Sequence, residues 1–213
     1  MSTASAQDTS FPAFVDWLSA QARSEGVSEG TIARMTAGLT PNDRVIALDR
    51  GQPGTPTSTG FPSMSGYLST HNSSQRISAG RRAYAEAAGI RSELERRYGI
   101  PSAILFAIWG HETNYGSFKG NFDLSRSLAT LAWEGRRREL FTREWIDLLK
   151  IDDMGVRRET LVGSWAGAFG HPQFLPSIYL RLAVDGDGDV GVVGHQAKAI
   201  MVASVSAASS FGL

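Results

Sequence analysis

The sequence predicts a mainly α-helical domain with little or no β structure. Two observations carry this. Apolar residues recur at helical spacing through most of the 213 residues, and Gly, Pro and capping residues interrupt them at helix-length intervals. The chain also shows no internal repeat and no series of alternating strands.

Residues 1–10 are polar and read as a disordered N-terminal tail. Phe11, Phe14, Val15, Leu18 and Ala22 then share one helical face, giving a helix to about Glu25 that Gly26 ends. Ser28 is placed as the N-cap of a short helix through Ala37, which Gly38 closes. Val45 to Arg50 suits strand or helix. From Gly51 to Gly66 the chain is rich in Gly, Pro, Ser and Thr and reads as a long loop or linker. Ser74 to Tyr98 carries one long helical pattern, interrupted near Gly89, with Ile77, Ala83, Tyr84, Ala87, Ile90, Leu94 and Tyr98 inward. The arginines along it alternate with Glu86, Glu93 and Glu95, as on a solvated helix surface.

Pro101 starts a central helix, since Pro suits the first helical position. Asp123-Leu124-Ser125 opens the next, with Leu124, Leu128, Leu131 and Ala132 on one face. After Gly135 a helix runs to about Lys150, with Phe141, Trp145, Leu148 and Leu149 inward, and Ser177 to Ala183 forms a last short one. A small strand element is placed near 45–50 or 184–194.

Composition narrows the function classes. Net charge is zero, so nothing global favours nucleic acid or an anionic membrane surface. There is no cysteine, which excludes disulfides, thiol nucleophiles and Cys-ligated metals. No run reaches the roughly 18 apolar residues of a membrane span. Ala4-Ser5-Ala6 is like the small-residue tail of a signal peptide, which fits a processed exported protein as well as an ordinary tail. The four histidines show no metal spacing, and no Ser/His/Asp triad or phosphate-binding Gly loop is present.

The stretch Ile104 to Gly116 is the most informative. Its apolar run, Ile104 to Trp109, reads as a buried helix, and it delivers Glu112 just before the turn residues Asn114 and Gly116. Burial disfavours a charged carboxylate, and a helix C-terminus repels it, so both would raise its pKa toward the range of a general acid. The segment Ala107-Ile108-Trp109-Gly110-His111-Glu112-Thr113-Asn114-Tyr115-Gly116 resembles the active-site segment of the lytic murein transglycosylase B family. His111 stands where that family has Val or Met. A second stretch, Gly163 to Gly170 followed by Pro172-Gln173-Phe174-Leu175-Pro176-Ser177, resembles the family's second signature. On its own it reads either as a tight helix junction or as a sugar site, with glycines for close approach, polar Ser164 and Gln173, and aromatic Trp165, Phe169 and Phe174.

The resemblance implies a lysozyme-like fold over residues 11–189 and a peptidoglycan lytic transglycosylase in the periplasm or cell envelope, acting as a monomer on glycan strands. It implies Glu112 as the single catalytic acid/base, with Ser164 as its direct partner and Gln173 beside it in the glycan groove. Asn114 and Tyr115 follow the acid and serve either substrate or the turn itself. Arg136 and Arg137 match an arginine pair expected to meet peptide stem or glycan. Asp185-Gly-Asp187-Gly-Asp189 resembles the start of a calcium loop, with hard oxygen ligands at its first, third and fifth positions. Val190 stands where that loop needs Gly, and no carboxylate follows, so any calcium would be weakly held and no cofactor is required. The 51–66 loop departs from the family pattern. From Val190 to Leu213 the chain is small, apolar and divergent, as a C-terminal truncation or a change of reading frame would leave it. Two other functions stay open: a hydrolytic muramidase, with Asp123 positioning water, and a non-catalytic wall-binding module.

Overall fold

The structure is a computed structural model that describes residues 10–52 and 63–182. It divides into two compact units. The first draws on residues 10–52, 120–170 and 174–181, the second on 63–119 and 171–173. The expected mainly helical class is found.

The first unit holds helices α1 (Phe11–Ser24), α2 (Glu29–Thr36), α3 (Asp43–Arg50), α8 (Leu124–Glu134), α9 (Arg138–Asp153) and α10 (Pro176–Leu182). Caps fix where they begin. Ser28 Oγ accepts from Thr31 N at 3.2 Å, Asn42 Oδ1 from Val45 N at 3.3 Å and Asp123 Oδ1 from Arg126 N at 3.1 Å. Val45 to Arg50 is therefore helix, not strand, because Asn42 nucleates it. The strand pair lies elsewhere: Phe122–Asp123 (β1) runs antiparallel to Val162–Gly163 (β2). The 184–194 alternative is outside the described residues.

Helices α8 and α9 pack as a hairpin around Leu124, Leu128, Trp145, Leu148 and Leu149, all fully buried. Burying side chains of this size stabilises by roughly 1.5–3 kcal/mol each. Several polar atoms within this core are matched, though the Ser127 and Thr142 hydroxyls are not. Trp145 Nε1 donates to Ser125 Oγ at 3.1 Å, and Ser125 Oγ donates to the Met35 carbonyl at 2.8 Å. Buried Asp152 accepts from Thr31 and Arg34, tying α2 to α9. Buried Glu144 accepts from Ser177 N at 2.9 Å and Ser177 Oγ at 2.6 Å, so α9 caps the first turn of α10.

The second unit holds α4 (Met64–His71), α5 (Ser74–Glu86), α6 (Ala88–Tyr98) and α7 (Ser102–Thr113). The long pattern expected over 74–98 is two helices, and the break falls at Ala87 rather than Gly89. Leu94, Leu105 and Phe106 are buried, with Ala83, Tyr84, Ala87, Ile100 and Trp109 packed around them. Ile77 does not face inward; it is exposed.

Candidate active site

Helix α7 is anchored at its start by a carboxylate. Glu95 Oε1 accepts from Ser102 N at 2.8 Å and from Ser102 Oγ at 2.6 Å. The Ser102 hydroxyl and backbone N–H hold the Glu95 carboxyl below its ordinary range. Pro101 stands at the N-cap, one position before the helix proper, so the helix begins at Ser102. It ends at Thr113, where Asn114 adopts a left-handed conformation at φ 48°.

The apolar run along α7 is buried on one side only. Leu105, Phe106 and Gly110 are buried, whereas Ala103, Ile104, Ala107, Ile108, His111 and Glu112 are exposed. Ile104, Ile108 and Glu112 follow one another at i, i+4 and i+8 along the exposed face. This corrects the expectation of a carboxylate sunk in a water-poor helix end. Glu112 occupies the last turn of α7, as expected, but its side chain meets solvent. A helix apolar all round shows no periodicity from which to tell its covered side from its open one.

The turn after α7 is strained in a specific way. Asn114, Tyr115 and Gly116 follow one another at φ 48°, 57° and 82°. A bulky residue with positive φ is an outlier that surrounding contacts must hold. For Tyr115 those contacts are visible. A Cβ added at Gly80 would lie 2.2 Å from its hydroxyl oxygen, and one added at Gly110 2.4 Å. The ring is thus wedged between α5 and α7 in a space that two glycines leave open, with Trp109 edge-on at 5.5 Å. Gly116 N donates to Thr113 Oγ1 at 3.1 Å and Phe118 N to the Thr113 carbonyl at 3.0 Å, which closes the turn.

Segment 171–173 belongs to the same unit. His171 is buried and its Nδ1 accepts from Trp109 Nε1 at 2.9 Å. Gln173, itself at φ 51°, donates from Nε2 to the Lys119 carbonyl at 3.4 Å. Of the residues expected from the sequence, Glu112, Asn114, Tyr115 and Gln173 therefore fall in the second unit. Sequence reading passed over Trp109, His171, Gly80 and Gly110 as site residues. Only the place of Trp109 within the first signature stretch and of His171 between the two parts of the second marked them.

Ser164, Arg136 and Arg137 belong to the first unit. Ser164 Oγ accepts from Ala168 N at 3.0 Å, and Ser164 N donates to the Ala168 carbonyl at 2.7 Å, forming a tight loop. Gly163 is required there, because a Cβ would lie 2.2 Å from the Ala168 carbonyl oxygen. Arg136 and Arg137 both reach Asp49, which is 1% exposed; Arg136 Nε lies 3.0 Å from Asp49 Oδ2. The arginine pair expected at the substrate thus neutralises a buried carboxylate of α3. Asp123 is likewise occupied: Oδ1 caps α8 and Oδ2 accepts from Arg158 at 2.9 Å. A groove of about 850 Å³ on the first unit is lined by Arg34, Asp123, Asp152 and Arg158 among others. Asp185, Asp187 and Asp189 lie outside the described residues.

Comparison with known proteins places this arrangement. Membrane-bound lytic murein transglycosylase B of Escherichia coli is 42% identical over 94 residues, a match covering 43% of this chain and 26% of that protein. SltB3 from Pseudomonas aeruginosa, solved in complex with NAG-NAM-pentapeptide, is 34% identical with a TM-score of 0.89. That likeness covers 96% of this chain and 54% of SltB3, so the chain spans about half the length of that relative. SltB1 of the same organism, a soluble lytic transglycosylase, is 25% identical with a TM-score of 0.83, over 93% of this chain and 66% of the other. The fold is thus that of these transglycosylases, as expected from the second signature and the Glu112 segment. A family model described as the transglycosylase SLT domain matches residues 10–206, and the chain belongs to that family.

Proposed function

We propose that this chain is a peptidoglycan lytic transglycosylase with Glu112 as its single acid/base. The observation that carries the reading is the placement of Glu112: on the open face of α7, two residues before a strained turn held by Tyr115, in a chain of this family. SltB3 has been solved with both NAG-NAM-pentapeptide and NAG-anhNAM-pentapeptide, the latter structure 35% identical to this chain. A substrate and an anhydro sugar bound to such a relative support the same chemistry here.

The bond cleaved is the β-1,4 link from N-acetylmuramic acid to N-acetylglucosamine. Protonated Glu112 donates to the glycosidic oxygen as that bond breaks, and an oxocarbenium-like centre develops on the muramic acid. The carboxylate then takes the proton from the sugar's own 6-hydroxyl, whose oxygen closes on the anomeric carbon. No water is consumed, and Glu112 ends protonated as it began. One carboxylate suffices because the nucleophile is intramolecular and its effective concentration is high, whereas the usual glycosidase needs two. Glu112 is exposed in the free chain, so the bound glycan itself must exclude water from it. The reaction needs no cofactor. Gln173 and Asn114 hold the sugar, and the protein acts as a monomer in the cell envelope on peptidoglycan strands. A hydrolytic muramidase is less well supported, since both oxygens of Asp123 are engaged.

One observation favours a second reading. An exposed acid is a poor proton donor until covered, so a glycan-binding module without turnover fits the open face of α7. Digestion of purified sacculi and mass spectrometry of the soluble sugars distinguishes these readings. The transglycosylase releases 1,6-anhydro muropeptides, one water lighter than the products of hydrolysis. Glu112→Gln should cut release by about 10²–10⁴-fold while circular dichroism stays unchanged. Release by the variant near the wild-type rate would end the assignment of Glu112. Binding to sacculi without release by the wild type would favour the module.

A further inference from the structure

Among the described residues, the non-glycine positions with positive φ are Asn114, Tyr115 and Gln173. All of them sit in two short segments of the second unit, the turn after α7 and the loop 171–173. Strain of this kind costs of order 1–3 kcal/mol per residue and persists only where neighbouring contacts over-determine it. His171 joins the two segments to each other and to α7. Its Nδ1 accepts the Trp109 indole N–H at 2.9 Å. Its ring lies against Gly116, where an added Cβ would stand 2.2 Å from His171 Cε1. An indole N–H can only donate, so this bond requires the imidazole Nδ1 to be unprotonated. Trp109 is one helical turn before Glu112 on α7, and Gln173 is two residues after His171.

We infer that His171 is a positioning residue. Through Trp109 and Gly116 it locks the Asn114–Gly116 turn and the Gln173 loop in register with the last turn of α7, which carries Glu112. It touches none of the reacting atoms. The inference rests on the reading of Glu112 as the acid/base, and it adds the element that holds that site in its strained form. Loss of such an orientation lowers kcat more than it raises KM, because it affects alignment in the transition state rather than contact area.

The lock can be tested with His171→Leu, which removes the acceptor, His171→Asn, whose amide oxygen stands near the place of Nδ1, and Trp109→Phe, which removes the donor and keeps a ring. Release of muropeptides from purified sacculi gives kcat and KM. Nitrogen-edited NMR of the five tryptophan indoles reports the bond directly, Trp109→Phe assigning its resonance. We expect His171→Leu and Trp109→Phe each to lower kcat by about 10- to 100-fold, with KM little changed. The double variant should be no slower than the slower single one, because both break one interaction. His171→Asn should restore most of the rate and return the Trp109 indole resonance toward its wild-type position. The inference is overturned if folded His171→Leu keeps the wild-type kcat. It is equally overturned if His171→Asn restores the resonance but stays as slow as His171→Leu. Should His171→Leu fail to fold, Trp109→Phe and His171→Asn decide the matter alone. If the wild type releases nothing, the assigned reaction falls, and the lock is judged on the resonance and on protease cleavage within 114–119. An unmoved resonance with unchanged cleavage in His171→Asn and His171→Leu alike would then refute it.

Discussion

The two compact units solve different problems. The first is built for stability: Trp145, Leu128 and Leu148 are sealed between α8 and α9, and buried Asp49, Glu144 and Asp152 each meet a partner. The second, among its described residues, buries Leu94, Leu105 and Phe106 as its apolar cluster and leaves Ile104 and Ile108 in solvent. It also holds every described non-glycine residue with positive φ. Strain and exposed apolar surface are costs that a polar, evenly packed unit would not carry. The first unit also exposes Trp17, Leu140 and Met154, so it is the strain that falls on the unit carrying Glu112, as expected where a site needs a fixed geometry. Stability is concentrated in the first unit and backbone strain in the second.

The sharpest way to break that contrast is to remove one large side chain from each core. Trp145→Ala should destabilise the chain by about 3–5 kcal/mol, because it opens a cavity and removes the N–H that donates to the Ser125 hydroxyl. Leu105→Ala removes less, about 2–5 kcal/mol, but from a thinner core. Calorimetry should therefore show Trp145→Ala lowering the main transition, whereas Leu105→Ala splits off an early transition that takes activity with it. A single shifted transition in both variants would show that the units melt as one.

Asp49 tests whether Arg136 and Arg137 belong to the core or to the substrate. Removing a fully buried counter-charge from two guanidiniums is costly, but each guanidinium side chain is more than a third exposed, which screens the effect. Asp49→Ala should cost about 1–3 kcal/mol in chemical denaturation. Arg137→Gln should lower stability as well and leave KM for muropeptide release unchanged. A raised KM with unchanged stability would return the pair to the glycan groove.

Gly110→Ala bears on the strained turn alone. The new Cβ would fall 2.5 Å from Tyr115 Cζ, so the ring must leave its slot between α5 and α7. Overpacking of this kind costs about 1–3 kcal/mol. Activity should suffer more than stability, since the turn after Glu112 loses its wedge. Gly89→Ala, with nothing within 4 Å of the added atom, is the control that should change neither.

Periodicity made the first unit legible. Leu124, Leu128 and Leu131 at helical spacing, with Asp123 ahead of them and Gly135 behind, mark α8 as it stands. The second unit was harder, for physical reasons. Helix α4 has no buried residue, so its sequence carries no stripe to read, and only Ser63 at its N-cap announces it. Glycine at position 89 is tolerated inside α6, while the chain breaks at Ala87 by a packing choice that no local residue dictates. The strands of β1 and β2 are two residues each, too short to alternate. The position of Glu112 was legible from its motif, but its exposure was not, because which side of α7 is covered depends on residues distant in sequence. The partner of the arginine pair was likewise hidden in sequence: Asp49, almost ninety residues earlier, pairs with both side chains.

The smallest expected effect lies at the α2–α9 junction and separates the units by pH. Asp153 accepts from Ser28 N at 3.1 Å and Ser28 Oγ at 2.7 Å, and from Thr31 Oγ1. The Thr31 hydroxyl, more than any other contact, holds its carboxyl below the ordinary value. A depressed folded value means that the carboxylate is favoured by folding. Its contribution is complete above the unfolded value, near 3.9, and is lost as pH falls through the folded one. Asp153 is largely solvated, so the loss is modest. Hydrogen exchange of α2 amides should quicken below pH 4, and Asp153→Asn should flatten that response. Both groups on this junction belong to the first unit, so the amides of α7 should show no matching change; if they do, the two units share one acid transition and the contrast between them is weaker than drawn.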